Sequence, residues 1–364
     1  MKFVTIIGAR PQFIKAAPLS AELRKGHEEI LVHTGQHYDA NMSDVFFDEL
    51  GIPKPQYNLG IGGGTHGEQT GRMLEAVEKV FLEEKPDAAI IYGDTNSTVA
   101  GALAAAKLHI PVAHVEAGLR SFNRDMPEEI NRIVADHLAT WCFCPSRVSV
   151  EQLAREGVVK NVLDVGDIMA DAVRLFAPRA AERSQILERT GITKGGFALA
   201  TIHRPVNTDD PKALATIFAA FERLPVPVVL PLHPRTRGAL TRFGLLERVT
   251  SSRNVKVIPP LGYFDMLQLQ HNAAFILTDS GGVQKEAYYA GTPCLTLRNE
   301  TEWVETVEAG WNRLLPIDEG QIVRAASAVS RPADRPNLYG DGRAAERIVC
   351  RLSARTDSNE LNEK

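Results

Sequence analysis

The chain has 364 residues, of which 44% are hydrophobic and 24% are charged. A chain of this length is expected to form two domains, or one large one, at ~100–200 residues per domain, and its apolar content is sufficient for real cores. The formal net charge of −4 argues against a protein whose overall charge binds DNA, RNA or acidic membranes, although it is compatible with a local basic pocket.

The cysteines and the amino-terminal residues favour a cytoplasmic protein. Cys142, Cys144, Cys294 and Cys350 lack Cys-x-x-Cys spacing and do not suggest a disulfide framework. The apolar run in MKFVTIIGARPQ is too short for the core of a signal peptide. No later stretch approaches the ~18 apolar residues of a membrane span. We therefore expect no membrane association.

Short apolar runs rich in β-branched residues alternate with helix-like stretches along most of the chain. The predicted strands are 3–7, 29–33, 87–92, 111–115, 140–144, 161–165, 197–202, 226–232, 255–258, 274–278 and 293–297. The predicted helices include 11–25, 66–84, 97–108, 127–139, 147–156, 211–223, 263–271 and 281–290. This alternation predicts βαβ units, and hence an α/β fold with parallel sheets that helices cover on both faces.

About six of the predicted strands precede residue 168 and about five follow it, which indicates two doubly wound domains with a ligand cleft between them. Ligands of open α/β sheets bind outside the carboxyl ends of the strands. Chemically useful side chains recur at these predicted ends, namely Arg10, Asp94, Glu116, His203, His233 and Ser280. We therefore expect a functional site at this rim.

The segment TDSGGVQKEA (278–287) is a candidate anion site, because it follows a strand and opens a helix. Ser280, Gly281 and Gly282 would present N–H groups and a hydroxyl at the positive end of that helix. Glu286 is well placed to accept ribose hydroxyls. The alternative is a simple helix cap at Ser280 or Asp279.

Two known phosphate-binding patterns do not fit. No Gly-Lys-Ser/Thr follows the 278–287 turn, so it is not a Walker loop. The segment GIGGGTHG (60–67) lacks the third glycine of the dinucleotide pattern, and no clear strand precedes it. A bound nicotinamide cofactor is therefore disfavoured.

The segment GARPQFIKAAPL (8–19) makes a similar strand-to-helix turn in the first half of the chain. Pro11 suits the first helical turn, where its missing N–H would have no partner. Arg10 lies in the turn and Lys15 follows one turn into the helix. The alternative for Lys15 is an exposed, solvated helix face.

Several acid/base candidates occupy the same rim. Asp94 in YGDTNST and Glu116 in HVEAGLR each end a predicted strand, and Glu128 opens the helix PEEINR beside Glu129. Each has a structural alternative. Asp94 could cap helix 97–108, although Asn96 or Ser97 could do so instead, and the two glutamates could simply interact with the helix dipole. His203 could be a satisfied histidine at a strand end. Taken together, the ionisable groups favour acid/base chemistry on a phosphorylated substrate.

Metal and serine chemistry are weaker alternatives. His33 and His37 have i,i+4 spacing, but Gly35 lies between them and no third ligand set is adjacent. No Gly-x-Ser-x-Gly elbow is present for a nucleophilic serine.

The motifs resemble those of a known family in residue type and order. They are GARPQFIKAAPL, YGDTNST, HVEAGLR, MPEEINR, the histidine at 203, LTDSGGVQKEA and YGDG (339–342). Together they resemble the non-hydrolysing UDP-N-acetylglucosamine 2-epimerases, from residue 1 to about residue 352.

The resemblance implies the GT-B architecture, with two Rossmann-like domains and the active site in the cleft between them. The expected domains are 1–168 and 169–345, with a final helix and polar tail over 346–364 that crosses back onto the first domain. The resemblance also implies a homodimer that acts on a UDP-sugar, with no metal or redox cofactor.

The implied reaction couples removal of the proton on the second sugar carbon to departure of UDP, which gives a 2-acetamidoglucal. UDP then adds back after protonation from the other face. Such a route needs carboxylates near both faces and stabilisation of the leaving diphosphate.

By position, Asp94, Glu116, Glu128 and His203 match the family's acid/base residues. The positions that match diphosphate and nucleoside contacts are Arg10, Lys15, Arg132, Ser280, Gly281, Gly282 and Glu286. Some bacterial relatives bind a second UDP-sugar as an activator. Gln36, His37, Arg72 and His233 match that site, but Asp39 stands where those relatives often have a longer amide.

Substrate and activity stay open at this point. Val206 in HRPVNTD replaces the glutamate of the family's His-Arg-x-Glu-Asn. VHTGQHYDANMS, GGTHGEQTGRM and RNETEWVE resemble the branch that epimerises UDP-2,3-diacetamido-2,3-dideoxyglucuronate. A hydrolysing 2-epimerase, a non-catalytic UDP-sugar sensor and, less favoured, a glycosyltransferase of the same fold are also compatible with the sequence.

Overall fold

The computed structural model describes residues 1–36 and 49–354. The chain divides into two compact units, of which the first comprises Met1–Leu175 and Tyr339–Lys364 and the second comprises Phe176–Leu338. The chain thus returns to the first unit at Tyr339, slightly before the boundary at 345 that the sequence suggested.

The described residues form thirteen strands, and in six of them every residue is buried. They are β1 (Lys2–Ile7), β2 (Glu28–His33), β3 (Tyr57–Asn58), β4 (Ala88–Tyr92), β5 (Val112–Val115), β6 (Trp141–Cys144), β7 (Val162–Asp164), β8 (Ala198–Thr201), β9 (Val228–Pro231), β10 (Val255–Ile258), β11 (Phe275–Thr278), β12 (Cys294–Thr296) and β13 (Asn312–Leu314). Continuous buried runs of this kind are typical of parallel sheets that helices cover on both faces.

Helices separate most of the strands. They are α1 (Arg10–Leu23), α2 (His66–Glu84), α3 (Asn96–Lys107), α4 (Pro127–Leu138), α5 (Arg147–Arg155), α6 (Ile168–Arg183), α7 (Ile186–Thr190), α8 (Pro205–Thr208), α9 (Pro211–Glu222), α10 (Pro234–Arg242), α11 (Leu246–Ser251), α12 (Tyr263–Asn272), α13 (Gly281–Ala290), α14 (Val304–Glu308), α15 (Glu319–Ser327) and α16 (Ala344–Ser353). None of the helices in the described ranges is long and apolar enough to cross a membrane.

Each unit contains one parallel sheet with a doubly wound strand order. The first sheet runs β3-β2-β1-β4-β5-β6-β7 and the second runs β10-β9-β8-β11-β12-β13. The order reverses between β1 and β4 in the first sheet and between β8 and β11 in the second. The prediction of two Rossmann-like units is therefore confirmed, and each unit has a switch point where a ligand can bind at the carboxyl ends of its strands.

Helix α3 packs closely on the sheet of the first unit because its side chains are short. This helix is rich in alanine, and a Cβ on Gly101 would come within 3.1 Å of Ile91 and 3.2 Å of Ile6. The short side chains let the helix lie directly on β1 and β4, the two strands of the switch point. The residues that follow these strands are thereby fixed relative to the start of α3.

All eleven predicted strands and all eight predicted helices are present, with ends shifted by one or two residues. Strands β3 and β13 were not predicted, because they are too short to show a strand period. Several helices were not predicted either. Helix α6 carries Pro178 in its interior, and α10 buries only Ala239 and Leu240 as apolar residues.

Candidate active site

Gln12 ties together the two turns at the switch point of the first unit. Its Nε2 donates to Tyr92 O at 2.9 Å and to Thr95 Oγ1 at 3.0 Å. Its Oε1 accepts from the backbone N–H groups of Gly8 at 2.7 Å and Ala9 at 3.0 Å. The buried amide thus fixes the turn that ends in Arg10 against the turn that carries Asp94.

Asp94 follows β4 and pairs with a buried arginine. Its Oδ2 contacts Nη2 of Arg132 on α4, while 27% of the Asp94 side chain remains exposed. Thr95, and not Asp94, caps α3, since Thr95 Oγ1 accepts from the N–H of Thr98 at 3.3 Å. The interpretations that made Asp94, Asn96 or Ser97 the cap are therefore wrong, and the Asp94 carboxylate remains available at the rim.

Glu116 follows β5 and pairs with Lys15 of α1. Lys15 Nζ lies 2.5 Å from Glu116 Oε1, and both side chains are buried. The interpretation of Lys15 as part of a solvated helix face is therefore wrong. Glu116 has a φ of +71°, a backbone conformation that residues other than glycine rarely adopt. A Cβ on Gly93 would lie 3.5 Å from Glu116 Oε1 and 3.5 Å from Lys15 Nζ, so the pair lies directly against this glycine.

Glu128 and Glu129 are adjacent but have different environments. Glu129 is buried, and its carboxylate accepts from Ser121 N at 3.0 Å, from Phe122 N at 3.0 Å and from Arg132 Nη1 at 2.8 Å. This residue holds the loop before α4. Glu128 is half-buried and forms no hydrogen bond or ion pair with another residue of the described ranges. Its carboxylate is the one that stays available for chemistry.

The other predicted positions of the first unit belong to different elements. Arg10 begins α1 and is half-buried. Gln36 Oε1 accepts from Ser97 at the start of α3, from N at 3.0 Å and from Oγ at 2.7 Å. Arg72 is exposed on α2 and donates to Gly63 O at 2.9 Å. His37 lies outside the described residues.

Asp279 organises the switch point of the second unit. This fully buried carboxylate accepts from the N–H of His203 at 3.0 Å, from the N–H of Arg204 at 2.9 Å and from Asn207 Nδ2 at 3.0 Å. It therefore joins the turn after β8 to the turn after β11. The interpretation that made Asp279 a helix cap is wrong, since α13 begins after Ser280.

The turn after β11 leaves room and donors for an anion. Ser280 is the residue before α13, yet its hydroxyl makes no capping bond. The N–H groups of Gly281 and Gly282 belong to the first helical turn, whose donors have no acceptor within the helix. A Cβ on Gly282 would meet no atom within 4 Å, whereas one on Gly281 would collide with Glu302 Oε1 at 2.5 Å.

Glu286 lies further along α13 and is buried. Its Oε2 accepts from Gln270 Nε2 at 2.6 Å, so the carboxylate is held in a fixed position. A fixed carboxylate oxygen is suited to accept hydroxyl hydrogens of a ribose.

His203 and His233 stack at the carboxyl ends of β8 and β9. Their ring centroids are 5.2 Å apart with a 34° tilt, and 36% of the His203 side chain is exposed. Burial lowers the pKa of His203 below its ordinary 6.5; the Asp279 carboxylate opposes this shift, whereas Arg204 and Arg235 reinforce it. His203 Nδ1 is 3.6 Å from Asp279 Oδ1, too far for a hydrogen bond. A neutral His203 at the rim can accept a proton near pH 7.

Val206 takes no part in the hydrogen bonds that hold the turn of His203 against Asp279. It lies on α8 with 70% of its surface exposed, so it does not fill an interior position. The adjacent Asn207 is buried and also donates to Leu297 O at 3.2 Å. What this chain lacks at position 206 is a charge at the surface near His203, and the backbone of the turn does not depend on it.

Each unit thus has the strand order and the polar switch point of a nucleotide-binding α/β protein. The chain belongs to the UDP-N-acetylglucosamine 2-epimerase family, whose family model matches residues 21–353.

Individual relatives match nearly the whole chain. A UDP-N-acetylglucosamine 2-epimerase homolog of Methanococcus maripaludis is 50% identical over 352 residues, covering 96% of this chain and 98% of the relative. The UDP-2,3-diacetamido-2,3-dideoxy-D-glucuronate 2-epimerase of Pseudomonas aeruginosa is 51% identical over 359 residues, with the same two coverages.

A solved structure also matches nearly the whole chain. The crystal structure of Methanocaldococcus jannaschii UDP-GlcNAc 2-epimerase in complex with UDP-GlcNAc and UDP has a TM-score of 0.92 and 42% identity, covering 97% of this chain and 100% of that one. The predicted GT-B fold class is confirmed by this match.

The environment of His203 predicts how the group titrates. We expect the pKa of His203 to lie below 6.5, to fall further in Asp279→Asn, which removes an attractive anion, and to rise in Arg204→Gln, which removes a repelling cation. Because the folded state then binds fewer protons than the unfolded state, this group's contribution to stability is lost as the pH falls below 6.5. NMR titration of the His203 ring measures all three values, with melting curves to confirm that the variants fold.

The opposite directions of the two shifts make the test specific. A His203 pKa above 6.5 in the parent protein, or shifts of the same sign in both variants, would contradict this electrostatic account of the turn.

Proposed function

We propose that the chain catalyses reversible epimerisation at the second sugar carbon of a UDP-2-acetamido sugar, converting UDP-GlcNAc to UDP-ManNAc. The observation that carries the proposal is the pair of rim carboxylates in the first unit, each beside a buried cation: Asp94 with Arg132 and Glu116 with Lys15. Membership of the 2-epimerase family supports the same reaction. A product of this type would supply surface polysaccharide synthesis.

The chemistry explains why two carboxylates are required. The proton on the second sugar carbon is not adjacent to a carbonyl, so its direct removal would be prohibitive. Elimination of UDP in the same step relieves this problem and gives a 2-acetamidoglucal, to which UDP adds back after protonation on the other face. Inversion therefore needs one proton-transfer group for each face of the sugar ring.

The first unit offers candidates for both faces. Asp94 and Glu116 are carboxylates on two different strand ends, and each has a cation beside it. Glu128 is a third carboxylate in the same unit and has no partner among the described residues.

The second unit offers the groups for the departing nucleotide. In this proposal the N–H groups of Gly281 and Gly282 and the Ser280 hydroxyl stabilise the diphosphate, as preorganised donors do for developing charge. Glu286 accepts the ribose hydroxyls. His203 transfers a proton at the leaving oxygen or at the sugar. Arg10 of the first unit is a further candidate cation for the diphosphate.

UDP-2,3-diacetamido-2,3-dideoxyglucuronate is a second candidate substrate. The relative of this activity from Pseudomonas aeruginosa is as similar as the Methanococcus maripaludis homolog, at 51% and 50% identity. Both reactions use the same chemistry at the second sugar carbon and differ in the groups on the third and fifth carbons. A side-by-side assay of the two UDP-sugars, compared by kcat/KM, decides between them.

Incubation with UDP-GlcNAc in deuterated buffer without added metal tests the reaction. We expect a mixture of UDP-GlcNAc and UDP-ManNAc that is reached from either side, with deuterium at the second sugar carbon of both. Mass spectrometry and proton NMR measure the two readouts. Free N-acetylmannosamine with UDP would instead identify a hydrolysing enzyme, and unchanged, unlabelled UDP-sugars from both substrate candidates would indicate a protein that only binds them.

Neutral variants test the role of the carboxylates. We expect Asp94→Asn and Glu116→Gln to lower kcat by at least ~100-fold, the usual scale for losing a general acid or base, while UDP still binds. Glu75→Gln is a matched control, because Glu75 is an exposed carboxylate of α2 whose ion-pair partner is the equally exposed Lys79. Glu116→Gln leaves the Lys15 ammonium buried without its counter-charge, so melting curves accompany the assays. Near-parental kcat in either variant would remove that residue from the mechanism.

A further inference from the structure

His114 is a fully buried histidine that the proposed chemistry does not use. It lies on β5, close to Glu116 in sequence, and both of its ring nitrogens have partners. Nδ1 is 2.7 Å from Asp136 Oδ1, and Nε2 is 2.7 Å from the backbone O of Gly93. Both distances are those of good hydrogen bonds.

The two partners determine the protons on the ring. A backbone carbonyl oxygen can only accept, so Nε2 carries a hydrogen. Asp136 accepts at its other oxygen from Arg120 Nη1 at 2.7 Å, and both oxygens are 3.2 Å from the N–H of Gly118. Burial alone would raise the pKa of Asp136, but the adjacent His114 and Arg120 outweigh it and the pKa is lowered. Two acceptors thus face one ring, and both nitrogens must donate.

His114, Asp136, Arg120 and Glu156 form one cluster of charged side chains. Arg120 also donates to Glu156, through Nε at 2.7 Å and Nη2 at 2.6 Å. With a protonated His114 the cluster has two cations and two anions. With a neutral ring it would have a net charge of −1, with one of its two carboxylates on Glu156, whose side chain is 28% exposed. Cys142 of β6 packs against Asp136, and burial raises the pKa of its thiol to about 12, so it stays neutral.

The imidazole connects the elements that carry the proposed proton-transfer groups. Gly93, whose φ is +60°, directly precedes Asp94 at the end of β4. Asp136 belongs to α4, the helix that begins with Glu128 and also carries Arg132. β5 itself leads into Glu116. One buried side chain therefore links the supports of all three carboxylates.

We propose that His114 is a positioning residue that donates from both ring nitrogens, holds the Asp94 turn against α4 and fixes the geometry of proton transfer. Its effect on catalysis rests on the proposed function, whereas its protonation state does not. The first test is nitrogen-15 NMR of the parent protein, with the His114 signals assigned by comparison with His114→Asn. At pH 7 both ring nitrogens should show the shifts of nitrogens that carry a hydrogen and donate it, and a ring nitrogen without a hydrogen would overturn the proposal.

Asp136→Asn is the matched control. The amide can donate to a neutral Nδ1, its oxygen can still accept from Arg120, and the cluster remains balanced because one cation and one anion disappear together. We expect this variant to fold, to contain a neutral His114, and to retain kcat within about 5-fold, because every hydrogen bond that sets the geometry is preserved. A much larger loss would mean that the charge of the ring, and not its position, matters.

His114→Asn cuts the link to the Asp94 turn. Asparagine can still donate to Asp136 but does not reach Gly93 O, and we expect kcat to fall by about 100-fold, as for a misplaced catalytic group, with KM changed by less than about 3-fold. The double variant His114→Asn/Asp136→Asn restores the charge balance, so it remains folded if the single variant does not. It should be as slow as His114→Asn, and recovery of parental kcat would refute a positioning role.

Failure of this proposal can be distinguished from failure of the proposed function. A parent protein that epimerises no UDP-sugar contradicts the function but leaves the NMR test of the ring nitrogens intact. An active parent in which one His114 ring nitrogen lacks a hydrogen, or a fully active double variant, contradicts the positioning role alone.

Discussion

The pairing of rim carboxylates with buried cations is the interaction on which the proposed chemistry depends. A carboxylate taken out of water needs a cation or several donors beside it to remain charged. Arg132 supplies the cation for Asp94 and Lys15 supplies it for Glu116. Because the cations come from helices and the acids from strand ends, the packing of helix on sheet sets the geometry of each pair. The fold thus places each carboxylate beside its cation and limits the movement of the pair.

In the second unit the buried carboxylate of Asp279 has a structural role. Asp279 is saturated by N–H donors and by Asn207, so it has no free capacity for chemistry. By holding the turn after β8 against the turn after β11, it places His203 beside the start of α13. The N–H groups of Gly281 and Gly282 are left for an anion. In the proposed function, the acids for proton transfer and the turn for the diphosphate therefore belong to different halves of the chain.

The strand ends could be predicted from sequence because they depend on local signals, and the predicted residues follow the strands as expected. The residues that hold the site in place could not be predicted from the sequence. Gln12 meets the end of β4 through contacts that span the first unit, and no spacing rule indicates them. His114 and Asp136 look like ordinary residues of a strand and a helix until the fold brings them together. Glu128 and Glu129 are equivalent in sequence, and only the packing of α4 decides which is buried.

The central claim of the proposed function is that Asp94 and Glu116 act at the second sugar carbon of a bound UDP-sugar. A crystal structure of the Asp94→Asn variant with UDP-GlcNAc measures this directly. The account predicts a diphosphate oxygen within about 3 Å of the N–H groups of Gly281 or Gly282, and the second sugar carbon within about 3.5 Å of Glu116 or of the amide at position 94. A diphosphate bound away from the turn at 280–282, or a sugar out of reach of both side chains, would contradict it.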